Sequence, residues 1–385
     1  MNNDVRISRP LTWVAISRMA LLHNIRQFSR LGRSGGSTVM CVVKSNAYGH
    51  GAALVAETCQ AAGVRWFGVA SIEEALQLRR AQIWSRIVVL SYCNPALLEQ
   101  AIQKNIALVV YDPDMVKKIS QIAQRLKKNA RVHLKLDTGT HRLGLPVDDA
   151  LELALNVVQY ARVELEGVFT HFADAENPQQ SFTNKQLSVF EDFKSQLLNN
   201  KVRIPYFHAA CSAATILNVR SRSDMVRVGI SLYGLWSIER LGASVKKRTA
   251  GFKLRPVLSW HTEVIQVKTV EKGGYIGYGR TFHARKKMKI ALIPVGYWEG
   301  YDRKLSHIGH ALLRSRQAPI VGRICMNLTM LDVTHLPTVK VGDRVTLIGR
   351  QGTKEVTADM LAKWAKTINY EIVTRINPLI PRILV

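Results

Sequence analysis

Several short apolar runs in the N-terminal part of the chain end in polar groups that could do chemistry together. The run at 39–44 ends in Lys44, followed by Asn46 and Tyr48. The run at 131–137 leads into KLDTGTHRLG, which carries Arg142 on a glycine-rich loop. The run at 165–173 ends in THFA, with His171. The run at 204–210 opens HAACSAAT, with Ser212 at the expected start of a helix. The run at 225–230 carries Arg227, then Gly229 and Ile230. A desolvated lysine can form a Schiff base with an aldehyde. Pyridoxal phosphate is such an aldehyde, and it serves as an electron sink for α-carbanions. Its phosphate calls for hydroxyls and backbone N–H groups, which Ser212, Gly229, Ile230 and Tyr48 would supply. Its pyridine nitrogen calls for a partner, and Arg227 is the candidate. No pair of acidic residues joins the set, which argues against a metal site and against a two-carboxylate hydrolase. Taken singly, Lys44 reads as a solvated strand end, His171 as a core histidine, and Arg142 and Arg227 as ion-pair partners. Only their joint placement at successive strand ends makes a site.

The elements that must position these groups are legible. Near-continuous apolar runs alternate with amphipathic stretches such as 71–81, 112–128, 149–161 and 184–200. A helix over 17–32 precedes them, with Leu21, Leu22, Ile25, Phe28 and Leu31 at helical spacing. That alternation predicts a parallel sheet covered by helices. About eight such units are present, the scale of a (β/α)8 TIM-type barrel. An open doubly wound sheet is the second choice, without a G-x-G-x-x-G fingerprint to support it. In a barrel, functional groups gather at the carboxyl ends of the strands. After about residue 240 the rhythm changes to strands at 258–270, 289–297, 310–316 and 343–351, joined by glycine-containing turns, with one late helix at 357–369. That predicts a mostly antiparallel β domain. The expected organisation is residues 1–16 as an N-terminal strand packed with the C-terminal domain, 17–245 as the barrel, and 246–385 as the β domain.

With 385 residues, 47% apolar and 21% charged, the chain has ample sequence for a globular core. The formal charge of +26 is extreme, but it is dispersed. Its densest clusters, at 125–128, 245–253 and 285–289, are short and poor in aromatic residues, so a nucleic-acid partner is not expected. The five cysteines are widely spaced, with no CxxC pair, which argues against a disulfide framework or a zinc site and fits a reducing cytoplasm. Neither a signal peptide nor a run of about 20 apolar residues is read.

The segments VVKSNAYGHG, KLDTGTHRLG, THFA, HAACSAAT, VRVGISLYG, GYGRTF, VGYWEGYDR, VGRICMN and INYEI resemble, in order from Trp13 to Leu384, the alanine racemases. These are PLP-dependent enzymes of fold type III, with a barrel and a C-terminal β domain. The resemblance implies that Lys44 carries the cofactor and acts as one α-proton base, and that Tyr278 is the base on the opposite face. In the family that tyrosine comes from the other subunit of a head-to-tail homodimer. Arg227 matches the arginine on the pyridine nitrogen, and His171 the residue that packs by the ring and supports it. Arg142 matches the arginine near the cofactor phenolic oxygen and the substrate carboxylate. Tyr48, Ser212, Gly229, Ile230 and Tyr370 match the phosphate cradle. Met326 matches a substrate contact from the second subunit, Tyr297 a tyrosine of the entry channel, and Lys135 a lysine carbamylated in some members.

The chain departs from the family pattern at Ser45 (usually alanine), Cys211 (usually asparagine), Asn327 (usually aspartate) and in GYWEGY, where Trp298 adds bulk. The implied function is racemisation of L- and D-alanine in the cytoplasm, feeding peptidoglycan. The alternatives are a racemase of serine, lysine or a broad set, and a PLP-binding protein without turnover. Related fold-III decarboxylases would need other acidic and cysteine groups in the second half. Metal, membrane and nucleic acid are not called for.

Overall fold

The computed structural model describes residues 10–238, 241, 242, 245, 251–336 and 338–385. The described residues form two compact units, one within Met19–Tyr48 and Ala52–Arg255, the other within Met1–Arg18, Gly49–Gly51 and Pro256–Val385. The expected boundary at 245–246 falls beside residues 246–250, which lie outside the described residues, as does part of the basic cluster at 245–253.

The first strand, β1 (Thr12–Ile16), belongs to the second unit. The barrel follows with β2 (Thr38–Val42), β3 (Trp66–Val69), β4 (Arg86–Val89), β5 (Ile106–Val110), β6 (Ala130–Lys135), β7 (Val163–Phe169), β8 (Tyr206–His208) and β9 (Met225–Val228). Their pairing order is β8-β7-β6-β5-β4-β3-β2-β9, and every pair is parallel. The ring is thus a nearly closed eight-stranded barrel, as the alternation of apolar runs and helices predicts. Main-chain N–H groups on both sides help to tie its seam between β8 and β9. The Arg227 N–H donates to the Ala210 carbonyl at 3.0 Å, and the Phe207 N–H to Asp224 Oδ2 at 2.8 Å.

Strands such as IALVV in β5 are buried throughout, because helices cover the outside and side chains fill the inside. Local signals set the helices. Ser71 caps Ile72–Arg80, with Glu73 and Glu74 in the first turn. Asp112 caps Pro113–Leu126, which ends on left-handed Lys127.

The second unit holds β10 (Leu258–Glu263), β11 (Gln266–Val270), β12 (Tyr275–Ile276), β13 (Phe282–His283), β14 (Met288–Ile293), β15 (His310–Leu313), β16 (Arg316–Pro319), β17 (Thr329–Asp332), β18 (Arg344–Gln351), β19 (Lys354–Val356) and β20 (Arg382–Leu384). One sheet runs β16-β15-β18-β10-β1-β20, a second β11-β14-β17, and β12 and β13 form a hairpin. All these pairings are antiparallel except β1 with β20.

Two expectations are corrected. The run 258–270 is two strands in different sheets. Its backbone turns from the Asp343 carbonyl, bonded by the Val264 N–H, to the Leu292 carbonyl, bonded by the Ile265 N–H. The single late helix is two, Ala358–Ala365 and Asn369–Thr374, because left-handed Lys366 closes the first. Among the described residues, no helix is long and apolar enough to cross a membrane.

Candidate active site

Lys44 leaves β2 half-buried and enters an unusual turn. Ser45, Asn46, Ala47 and Tyr48 all have left-handed φ, between 53° and 54°. Each such residue costs about 1–2 kcal/mol for an L-amino acid, and strain of this kind gathers at functional sites. The turn is held from outside. Glu74 Oε1 accepts the Ser45 N–H at 2.6 Å, and Oε2 accepts the Ala70 N–H at 2.7 Å. Asn46 Oδ1 accepts the Ala52 N–H at 2.8 Å. Burial, and then the Arg142 charge, hold the Lys44 ammonium below its ordinary pKa, against an opposing pull from Glu74. An amine so placed is a better nucleophile and base near neutrality.

The turn delivers Tyr48 to a cradle. Its ring lies 5.3 Å from that of Tyr233. A Cβ on Gly229 would stand 2.6 Å from Tyr48 Oη, so only glycine admits the phenol here. The Gly229 N–H donates to Ser212 Oγ at 3.0 Å, and Ser212 opens the helix Ser212–Leu217. Ile230 begins the next turn, Ile230–Tyr233. Hydroxyls and main-chain groups from three strand ends thus meet at one place. Burial raises the Cys211 thiol, so the residue beside Ser212 adds no negative charge.

Arg227 is the hub. Its Nη1 donates to the His208 carbonyl at 2.5 Å and to His208 Nδ1 at 2.9 Å. Its Nη2 donates to the Thr170 carbonyl at 2.6 Å and the Ala209 carbonyl at 3.0 Å, with His171 Nδ1 at 3.4 Å. Two imidazoles thus face Arg227, that of His208 at 2.9 Å and that of His171 at 3.4 Å. Nε–H is the guanidinium donor with no hydrogen bond among the described residues.

Around this hub lie Lys44, Lys135 and Arg142, whose charges all reach His171. Burial, then Arg227 and the other cations, push the His171 pKa down to about 3, so this imidazole is neutral in any working range. Burial, then Arg227, Arg142 and Lys44, lower Lys135 to about 8. Phe169 lies among them, with Lys135 Nζ 5.3 Å and Arg227 Cζ 5.4 Å from its ring. The Arg142 loop is shaped by Asp137 Oδ1, which accepts the N–H groups of Gly139, Thr140 and His141. Four cations around a neutral histidine suit an anionic guest.

The remaining expected residues lie in the second unit. Tyr278 is 73% exposed on the turn Tyr278–Arg280, between Gly277 and Gly279, both at positive φ. It lines a cavity of about 370 Å³ with Tyr275, Ile290, Leu292 and Met330. Met326 and Tyr297 are exposed, and their segments are zipped together. The Tyr297 N–H donates to the Cys325 carbonyl at 3.1 Å, and the Trp298 N–H to the Met326 carbonyl at 2.9 Å. Tyr370 lies in the helix Asn369–Thr374.

The family models for the alanine racemase N-terminal domain and the alanine racemase C-terminal domain match residues 16–237 and 257–384. The chain belongs to the alanine racemase family. It is similar to the alanine racemases of Methanococcus maripaludis (38% identical over 98% of this chain and 99% of that protein) and Symbiobacterium thermophilum (40%, over 98% of each). The solved alanine racemase of Clostridium difficile 630 superposes with a TM-score of 0.91 at 31% identity, covering 98% of this chain and 96% of that one. A histidine racemase from Leuconostoc mesenteroides superposes with 0.89 at 27% identity, covering 98% and 99%.

As a member of the alanine racemases the chain is an enzyme, an isomerase. Within that family frame, four side chains were missed by reading strand ends. Glu74 sits on a helix with no motif to mark it. His208 stands inside HAACSAAT and had a visible signal, whereas His133 and Glu166, strand-interior residues of β6 and β7, had none.

Proposed function

We propose that the enzyme interconverts L- and D-alanine with pyridoxal phosphate held at the mouth of the barrel. The observation that carries this is the convergence of Lys44, the Tyr48–Ser212–Gly229 cradle and Arg227 within one unit. The residues present fit the cofactor: the cradle leaves no room for a Cβ, and Arg227 keeps its Nε–H, unbonded among the described residues, for a ring nitrogen. When bound, the cofactor supplies an electron sink for the α-carbon.

The chain's own groups do the rest. Lys44 Nζ takes or returns a proton on one face, and Tyr278 Oη of the partner subunit on the other, since inversion requires two bases. Arg142 binds the substrate carboxylate, and Lys135, poised near neutrality, orients Arg142, with carbamylation as the means. Arg227 stays protonated and so gives the ring nitrogen a hydrogen bond but no proton. His171, neutral, packs beside the ring. Tyr48, Ser212, Gly229, Ile230 and Tyr370 hold the phosphate. Met326 of the partner subunit bounds the substrate, and Tyr297 lines its entry. The working form is then a cytoplasmic homodimer, and its product supplies D-alanine for peptidoglycan.

A second reading keeps the chemistry and changes the substrate. It is favoured by the likeness to a histidine racemase and by the bulk of Trp298 in the segment that pairs with Met326. Borohydride treatment of the PLP-loaded protein, followed by peptide mass analysis, should find the cofactor fixed on Lys44. An unmodified Lys44 peptide would overturn the cofactor assignment. Product formation from a panel of L-amino acids decides between the substrates.

A further inference from the structure

The interior of a parallel barrel is ordinarily filled by branched aliphatic side chains. Here three polar residues from β6, β7 and β8 join Arg227 of β9 inside it. Exposure is 0% for His133 and His208, 2% for Glu166 and 5% for Arg227. They form one chain of contacts. Arg227 Nη1 lies 2.9 Å from His208 Nδ1, His208 Nε2 lies 3.0 Å from His133 Nδ1, and His133 Nε2 lies 3.1 Å from Glu166 Oε2. The far end is anchored by Arg86, whose Nη1 donates to Glu166 Oε1 at 2.6 Å, with Arg131 Nε at 3.6 Å. Arg86 is the first residue of β4, so the chain runs from the strand-start end of the barrel to its mouth. Space is made for it: a Cβ on Gly167 would stand 2.3 Å from His133 Nδ1. Phe169 stacks on His208 at 4.9 Å and 11°.

Donor chemistry gives this chain a single direction. A guanidinium only donates, so His208 Nδ1 must accept. Burial, then the Arg227 charge, hold the His208 pKa well below the usual value, so His208 is neutral and carries its proton on Nε2. That proton goes to His133 Nδ1, which leaves His133 with its proton on Nε2, aimed at the Glu166 carboxylate. Aliphatic replacements of buried charged groups are often at least as stable, so such a chain needs a reason other than stability.

We propose that Glu166 and His133 are positioning residues for Arg227, fixing the His208 tautomer so that the guanidinium is held in one orientation at the mouth. The proposal rests on the assignment of Arg227 as the partner of the cofactor ring. Glutamine at 166 could donate to His133 Nε2. The His133 proton would then move to Nδ1, the His208 proton would follow, and two N–H groups would face each other at Arg227.

The test is ¹⁵N NMR of histidine-labelled, full-length protein without cofactor, followed by steady-state kinetics of the loaded enzyme. The wild type should show the Nε2–H tautomer at both His208 and His133. E166Q should shift both toward Nδ1–H and lower kcat about tenfold, the lower end of what outer-layer partners are worth at metal sites, with KM little changed. Borohydride should still fix the cofactor on Lys44. A wild-type His208 carrying Nδ1–H, or an imidazolium, would overturn the proposal without any variant. So would a folded E166Q that keeps both the wild-type tautomers and kcat, or one that shifts the tautomers and keeps kcat. Failure of wild-type Lys44 to be fixed would instead overturn the cofactor assignment, and the tautomers of the unloaded protein would still test the chain's direction.

Discussion

Asn327 donates through Nδ2 to Glu299 Oε1 at 2.8 Å, while the other Glu299 oxygen accepts the Gly296 N–H at 2.8 Å. Two of the departures from the family pattern, Asn327 and the WEG segment, are thus joined by one hydrogen bond. An aspartate at 327 would set two carboxylates against each other. N327D should therefore cost about 0.5 kcal/mol at pH 8, a small value because the pair is open to solvent. Repulsion raises one carboxyl pKa, so the loss should fade as pH falls through that raised value. The double variant E299Q/N327D restores an amide–carboxylate pair and should recover stability in a double-mutant cycle. Urea unfolding of the four proteins at pH 8 and pH 5 measures both.

Glu74 clamps two N–H groups at once, one of them on left-handed Ser45. Glutamine can accept only one of them and turns an N–H₂ toward the other. E74Q should cost about 1 kcal/mol, since one of two hydrogen bonds is lost at an exposed or half-buried N–H. It should also weaken PLP binding, because Lys44 and Tyr48 both hang from that turn. Thermal unfolding and PLP titration of the apoprotein check the two effects; unchanged PLP affinity would mean that the turn holds without the clamp.

Lys135 is 6% exposed, and its pKa is lowered from 10.5 to about 8. In the unfolded chain it binds its proton more tightly, so its burial penalises folding fully below pH 8. The penalty declines as pH rises from about 8 to 10.5. K135M should therefore be more stable than the wild type at pH 7, by up to about 3 kcal/mol. The gain should vanish near pH 10.5, and alanine turnover should fall at every pH. Bicarbonate should narrow the stability gap if Lys135 is carbamylated. Chemical denaturation across this range, with and without bicarbonate, gives the answer.

The two proposed bases separate by direction. K44A should lose the cofactor band that borohydride fixes. Y278A should keep that band, yet slow α-proton exchange of L-alanine far more than that of D-alanine. Equal slowing of both enantiomers would contradict the face-specific assignment.

The barrel was legible because each buried strand is a short apolar run and each helix an amphipathic one, with caps such as Ser71 and Asp112 at the joints. The placement of Lys44, Arg142, His171, Ser212 and Arg227 at or just past successive barrel strands was legible, because each follows or ends an apolar run. What supports them was not. Glu74 acts through a backbone N–H in a left-handed turn that no side-chain pattern announces. His133 and Glu166 alternate with apolar neighbours inside strands, where a sequence shows only a polar interruption. The break at Val264 was hidden because Val264 and Ile265 carry the chain from one strand into the next with no glycine or proline to mark it. Tyr278 has no local signal beyond its flanking glycines, and only the resemblance across the whole chain singled it out.

The most direct measurement uses the PLP-loaded protein with L-alanine in D₂O, following D-alanine by chiral chromatography and α-deuterium by mass. D-alanine carrying one deuteron at Cα is the predicted product, because the proton removed on one face is replaced on the other by a group in exchange with solvent. Absence of both D-alanine and α-deuterium, with the cofactor band intact, would contradict alanine as the substrate.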